Sequence, residues 1–147
     1  YKGVGISFST RNFVGENKMG TRCLTVLEEY NDEVLVMYRQ MDGYPEGHGV
    51  DLAEFLDGFS VGDGLRSGNP AKFANGAGCL AGQIVAHFKD EAGGFYLYPS
   101  GMRDVGEAYV YKVVAKVGEP IKIIIIDTYE GGTIFKGTPE ELLERWN

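Results

Sequence analysis

Thr21-Arg22-Cys23-Leu24-Thr25-Val26-Leu27-Glu28-Glu29, then Tyr30-Asn31-Asp32, then Glu33-Val34-Leu35-Val36-Met37-Tyr38-Arg39-Gln40, reads as a β-hairpin. Its two flanks are rich in Val, Leu, Thr and Tyr, side chains that fit a pleated surface, and the Tyr-Asn-Asp cluster between them is a turn. A sheet therefore starts here, and the rest of the chain has to extend it or cover it.

Downstream, Asp51 is placed to cap a short helix running to Phe59. Leu52, Phe55, Leu56 and Phe59 recur at the i, i+3, i+4, i+7 spacing of one buried face. Residues 60–78 are punctuated by Gly, Asn and Pro and read as irregular, and a loop of that length is often functional. A second helix is expected from about Cys79 to Glu91, burying Leu80, Ile84, Val85 and Phe88.

The last third reads as sheet: Phe95 to Tyr98, an alternating Glu107 to Val117, and Pro120 to Tyr129 with its run of isoleucines. The turn Val117-Gly118-Glu119-Pro120 pairs the last two as a hairpin, and the isoleucine run suggests a central strand covered on both faces. Thr133 to Lys136 adds a short strand. Thr138-Pro139-Glu140-Glu141 then combines a capping Thr, a Pro at the first helical position and a Glu three residues after the cap. Leu142, Leu143 and Trp146 dock that closing helix. The class is α+β: a mostly antiparallel β-sheet, two helices inserted after the first hairpin, and a C-terminal helix.

Upstream of the hairpin the chain changes character. Val4, Ile6 and Phe8 alternate with Gly5, Ser7 and Ser9, the period of a half-buried strand, and Phe13 follows before the polar link Gly15-Glu16-Asn17-Lys18. Met19-Gly20-Thr21-Arg22 looks like the natural start of a domain. The expected organisation is an N-terminal β-arm at 1–18 and a single globular domain at 19–147. The arm either forms an edge strand of the chain's own sheet or adds a strand to a neighbouring subunit. Because the chain begins at Tyr1 rather than Met, its start is expected to have been removed, by a cellular protease or during preparation.

The totals narrow the function classes. A chain of 147 residues, 44% hydrophobic and 24% charged, suits one domain with a real core. Gly, at 22 residues, has about twice its usual share, and with 9 Tyr and 8 Phe it points to a turn-rich, β-heavy fold. The net charge of −7 argues against a nucleic-acid partner, since a phosphate backbone calls for a basic face. No stretch reaches the ~18 apolar residues of a membrane span. Cys23 and Cys79 sit in apolar contexts and read as buried thiols. They lack metal spacing and would be bridged only in a secreted protein.

Chemistry-bearing side chains are densest in Asp42-Gly43-Tyr44-Pro45-Glu46-Gly47-His48-Gly49. As turn chemistry, Asp42 bonds back to the chain and Gly43 takes a positive φ. As a site, Asp42, Glu46 and His48 could serve acid–base work or ligand contact, although metal binding needs more convergent ligands than one histidine brings. Arg22 and Arg39 fall at the same end of the hairpin and could flank a carboxylate offered by this loop, or form a structural ion pair. His87 is read as a partly buried, hydrogen-bonded histidine. Gly76-Ala77-Gly78-Cys79-Leu80-Ala81 has the letters of a dinucleotide fingerprint, but its context does not read as a strand before it. A more modest anion site on those backbone amides, with Lys72 or Arg66, is the alternative.

Met19-Gly20-Thr21-Arg22, then Tyr38-Arg39 with Asp42-Gly43-Tyr44-Pro45-Glu46, then Phe135-Lys136-Gly137-Thr138-Pro139-Glu140-Glu141 occur in this order. Together they resemble a family of small uncharacterised proteins common in bacteriophage and bacterial genomes, whose members typically begin at the Met-Gly-Thr-Arg equivalent. The resemblance covers residues 19–147 and implies no activity for any residue; the arm departs from the pattern.

Two functions are expected from these features. The first is a non-enzymatic, self-assembling structural protein, in which the arm residues Val4, Ile6, Phe8 and Phe13 add a strand to a neighbouring subunit and build a homo-oligomer or filament. The alternative is a phage-type binder or enzyme of phage–host interaction. It would take a small anionic or nucleotide-like ligand near Arg22, Arg39, Asp42, Tyr44, Glu46 and His48. No catalytic residue, metal site or cofactor is expected. The location is extracellular if the missing start reflects signal-peptide cleavage and cytoplasmic otherwise.

Overall fold

The computed structural model describes residues 20–64 and 70–147, so the arm residues Val4, Ile6, Phe8 and Phe13, and Arg66, lie outside the described residues. The hairpin forms as read. Strand β1 (Cys23–Glu29) pairs antiparallel with β2 (Asp32–Arg39), from Cys23 opposite Arg39 to Glu29 opposite Asp32. Tyr30 and Asn31 make the turn at φ 52° and 71°, the left-handed conformation that matches the twist of a tight hairpin.

Side-chain alternation splits β1 between two cores. Cys23 and Leu27 join Leu35 and Met37 on one face, while Leu24 and Val26 join Val36 and Tyr38 on the other. β1 is thus covered on both faces, and β2 also feeds both cores. The isoleucine run was expected in that role, but it forms β7 (Lys122–Asp127), one place in from an edge. There Ile121, Ile123 and Ile125 are buried, and Ile124 and Ile126 are half-buried.

The main sheet also contains β5 (Phe95–Tyr98), β6 (Tyr109–Val114) and β8 (Gly132–Gly137), in the order β5-β2-β1-β6-β7-β8. Every neighbouring pair is antiparallel except β1–β6, which runs parallel from Cys23 opposite Tyr109 to Glu28 opposite Val114. Such a pair needs a long connection, and the inserted helices lie within it.

Helices α1 (Val50–Leu56), α2 (Gly76–Phe88) and α3 (Pro139–Trp146) contribute Leu52, Leu56, Leu80, Ile84 and Leu142 to the core that Tyr111, Val113, Ile123 and Ile125 line from the sheet. The closing helix has its capping box: Glu141 N donates to Thr138 Oγ1 at 3.2 Å, and Thr138 N donates to Glu141 Oε1 at 2.8 Å. Over the opposite sheet face, Met102 and Val105 pack on Leu24, Val26 and Tyr38. That segment is clasped to β2 by Arg103 and Gly101 N, both bonding the Glu33 carboxylate at 2.7 Å. The fold is α+β, and among the described residues no helix is long and apolar enough to cross a membrane.

Three local readings change. The first helix begins at Val50 behind a π-type turn, Pro45–Gly49, and Asp51 does not cap it because its carboxylate is bonded to Arg39. The segment read as irregular contains β3 (Ser60–Gly62) and β4 (Phe73–Asn75), a parallel ribbon too short to show a period. A strand therefore does lead into Gly76, but among the described residues β4 pairs only with β3, and the chain after α2 enters the other sheet, which is not the arrangement of a dinucleotide-binding unit. Finally, Cys23 is buried as expected while Cys79 is exposed on α2.

Candidate functional site

The loop of residues 42–49 is pressed against the start of β1. Gly43 N donates to Thr21 O at 3.0 Å, and the Tyr111 hydroxyl donates to Gly43 O at 2.6 Å from within the core. A Cβ on Gly43 would lie 2.9 Å from backbone and side-chain carbons of Arg22 and Cys23, and one on Gly47 would lie 2.6 Å from Asp42 O. Only glycine permits so close an approach. The turn closes through His48 N donating to Asp42 O at 2.8 Å, and it carries the His48 side chain under the sheet.

His48 is fully buried, between the rings of Phe88 and Tyr111. Its Nε2 lies 2.7 Å from Thr25 Oγ1 and its Nδ1 lies 3.1 Å from Arg39 Nη1. A guanidinium only donates, so Nδ1 is the acceptor and Nε2 carries the proton that it gives to Thr25. Burial, helped by the Arg39 charge, pushes the imidazole down to about 3. A histidine whose free lone pair is already taken, and which resists protonation, is a poor general base. It is a positioning group for Arg39.

Arg39 is held from several sides. Its Nη1 also donates to Asp51 Oδ2 at 2.9 Å, Asp42 Oδ2 stands 4.0 Å from Nη2, and the guanidinium lies 5.1 Å over the Phe95 ring. Both Nη1 hydrogens are committed, to His48 and to Asp51. The Nε–Nη2 edge, the side-on fork that suits a carboxylate or phosphate, makes no hydrogen bond among the described residues.

Beyond Arg39 opens a cleft of about 450 Å³ lined by Arg39, Asp51, Glu54, Phe55, Lys72, His87, Phe88 and Phe95. Asp51, Glu54 and Phe55 come from one face of α1, where spacings of three and four bring side chains together. His87 and Phe88 end α2, and Phe95 begins β5. Phe55 stacks on His87 at 4.3 Å, Phe88 meets both edge-on, and Phe95 tilts against Phe88 at 5.4 Å, making an aromatic wall. Lys72 Nζ donates to Phe55 O at 2.8 Å and Asp57 O at 3.0 Å, tying off the carbonyl end of α1.

The structure brings Arg39 and His48 together, with Asp42 at the margin. It separates the others. Burial pushes the Tyr38 hydroxyl up and the Arg22 charge draws it down; that side chain lies on the opposite sheet face, and Arg22 does not line the cleft. Tyr44 donates to Asp42 Oδ1 at 3.4 Å, and Glu46 is exposed; neither lines the cleft. His87, read as partly buried, is exposed and stacked on Phe55. Among the described residues no His, Cys, Asp and Glu side chains converge as a metal-holding group. The Cys23 thiol is pushed up by burial, which leaves it inert.

No family model matches the chain, and neither the curated proteins nor the solved structures hold a significant match.

Proposed function

We propose that this chain is a small-ligand-binding protein whose site is the cleft between α1 and the end of α2, with Arg39 as the anchor for an anionic group. The observation that carries this reading is the Arg39 guanidinium. It is bonded on one side by His48 and Asp51 and packed on Phe95. Along the edge best suited to a bidentate anion it makes no hydrogen bond among the described residues, only the 4.0 Å pair of Nη2 with Asp42. The cleft's volume is within the range of small-molecule sites, and it sets an aromatic wall of Phe55, Phe88 and Phe95 beside the charged Arg39, Asp51, Glu54 and Lys72. NMR shift mapping with a mixed set of small acids, amines and neutral compounds tests it. Responses should gather at Phe55, His87, Phe88 and Phe95; responses scattered over the surface would count against it.

A second reading is self-assembly by strand addition. Its support is the outer strand β8, which pairs only with β7 among the described residues and so leaves a sheet edge to be filled. The alternating sequence of residues 1–18 is the kind of segment that fills such an edge. Light scattering on the full chain and on one carrying Val4→Ser, Ile6→Ser and Phe8→Ser tests it. A large particle that falls to monomer on substitution supports assembly, and equal masses reject it.

A further inference from the structure

We infer that the ligand of this cleft is a small aromatic monocarboxylate, its carboxylate on the Nε–Nη2 edge of Arg39 and its ring against Phe88 and His87. The inference rests on the cleft being the binding site and adds the class of molecule.

Three features select that class. The Nε–Nη2 edge of Arg39 makes no hydrogen bond among the described residues, with Asp42 Oδ2 no nearer than 4.0 Å. It offers two parallel N–H donors, the geometry that a carboxylate takes bidentately. Asp51 and Glu54 stand on the cleft wall, and Asp42, half-exposed, is only loosely paired with Arg39 at 4.0 Å from Nη2. A single ligand carboxylate can take the place of Asp42 on Arg39, but a polyphosphate would bring its remaining charges against Asp51 and Glu54. The third feature is the stacked and edge-on rings of Phe55, His87 and Phe88, which offer a flat apolar body the contacts that aromatic rings prefer.

Glu54 supplies a sign test. It is exposed, and it contributes negative charge to the cleft without bonding Arg39. Removing its charge should favour a ligand anion and disfavour a ligand cation.

The experiment is an NMR titration of the full chain with 3-phenylpropanoate, 3-phenylpropanamide, 2-phenylethylamine and ATP at one ionic strength, repeated on Glu54→Gln. The acid is expected to move the Phe88 and His87 ring signals saturably. The isosteric amide should bind about tenfold more weakly or worse, because it loses the charge-assisted pair. Glu54→Gln should tighten the acid by roughly two- to threefold, the scale of one exposed charge interaction. Equal binding of acid and amide, or weaker acid binding in Glu54→Gln, overturns the assignment. Tighter binding of the amine or ATP at the same signals overturns the ligand class and leaves the cleft as the site. Cleft signals that no compound moves would overturn both.

Discussion

Arg39 Nη1 donates to the buried Nδ1 of His48 at 3.1 Å, and this bond sets the charge state of one residue and the orientation of the other. Because Arg39 is the donor, His48 is neutral with its proton on Nε2. Because His48 and Asp51 both hold Nη1, the guanidinium is fixed where it lines the cleft.

The first prediction concerns pH. The folded-state pKa of His48 is depressed, from 6.5 to about 3. The unfolded chain therefore takes up a proton that the folded chain refuses, and stability present above the unfolded value is lost as pH falls towards the folded one. Within that window this residue alone should cost about 1.4 kcal/mol per pH unit. Urea unfolding between pH 6.5 and 5 should show a slope that rises from about half that value towards all of it, and His48→Gln should be flatter by that amount. An unchanged slope in the variant would show that His48 is not the group responsible.

The second concerns the bond that seats the loop. Tyr111→Phe keeps the ring but leaves Gly43 O without its buried donor at 2.6 Å. A stranded buried acceptor costs about 1–3 kcal/mol, so the urea midpoint should fall with little change in slope. A variant as stable as the parent would mean that water replaces the hydroxyl.

The third contrasts two glycines. Gly43→Ala drives a methyl to within 2.9 Å of Arg22 and Cys23 carbons, so β1 or the loop has to move, at roughly 1–3 kcal/mol. Gly82 lies inside α2 with nothing within 4 Å of its added Cβ. Gly82→Ala should stabilise by about 0.5–1 kcal/mol through helix propensity. Thermal melts that shift in opposite directions would agree with both placements; a stabilising Gly43→Ala would contradict the close approach of the loop.

The elements legible in the sequence are those whose cause is local. The β1–β2 hairpin has a turn between two apolar flanks, α3 has Thr138 and Glu141 at capping spacing, and α1 has its apolar face at helical spacing. The cleft was not legible in the same way. Arg39, Asp51, Lys72, His87 and Phe95 come from separate segments, and they meet only because β5 pairs with β2 and the helices cross that end of the sheet. No local pattern announces the parallel β1–β6 pairing either. The loop at 42–49 was conspicuous for its side chains, yet the glycines decide its role, since Gly43 and Gly47 let His48 pass under the sheet. A usable signal was the spacing of Asp51, Glu54 and Phe55, which marks a mixed charged and aromatic helix face beside the apolar one.

The most direct measurement is the Arg39 Nε–H resonance during titration of the ¹⁵N-labelled full chain with 3-phenylpropanoate. If the open edge of Arg39 holds the ligand, that proton moves downfield and saturates together with the Phe88 ring signals. If it stays in place while the ring signals move, or if neither responds, Arg39 is not the anchor of a binding site and the guanidinium serves only the fold.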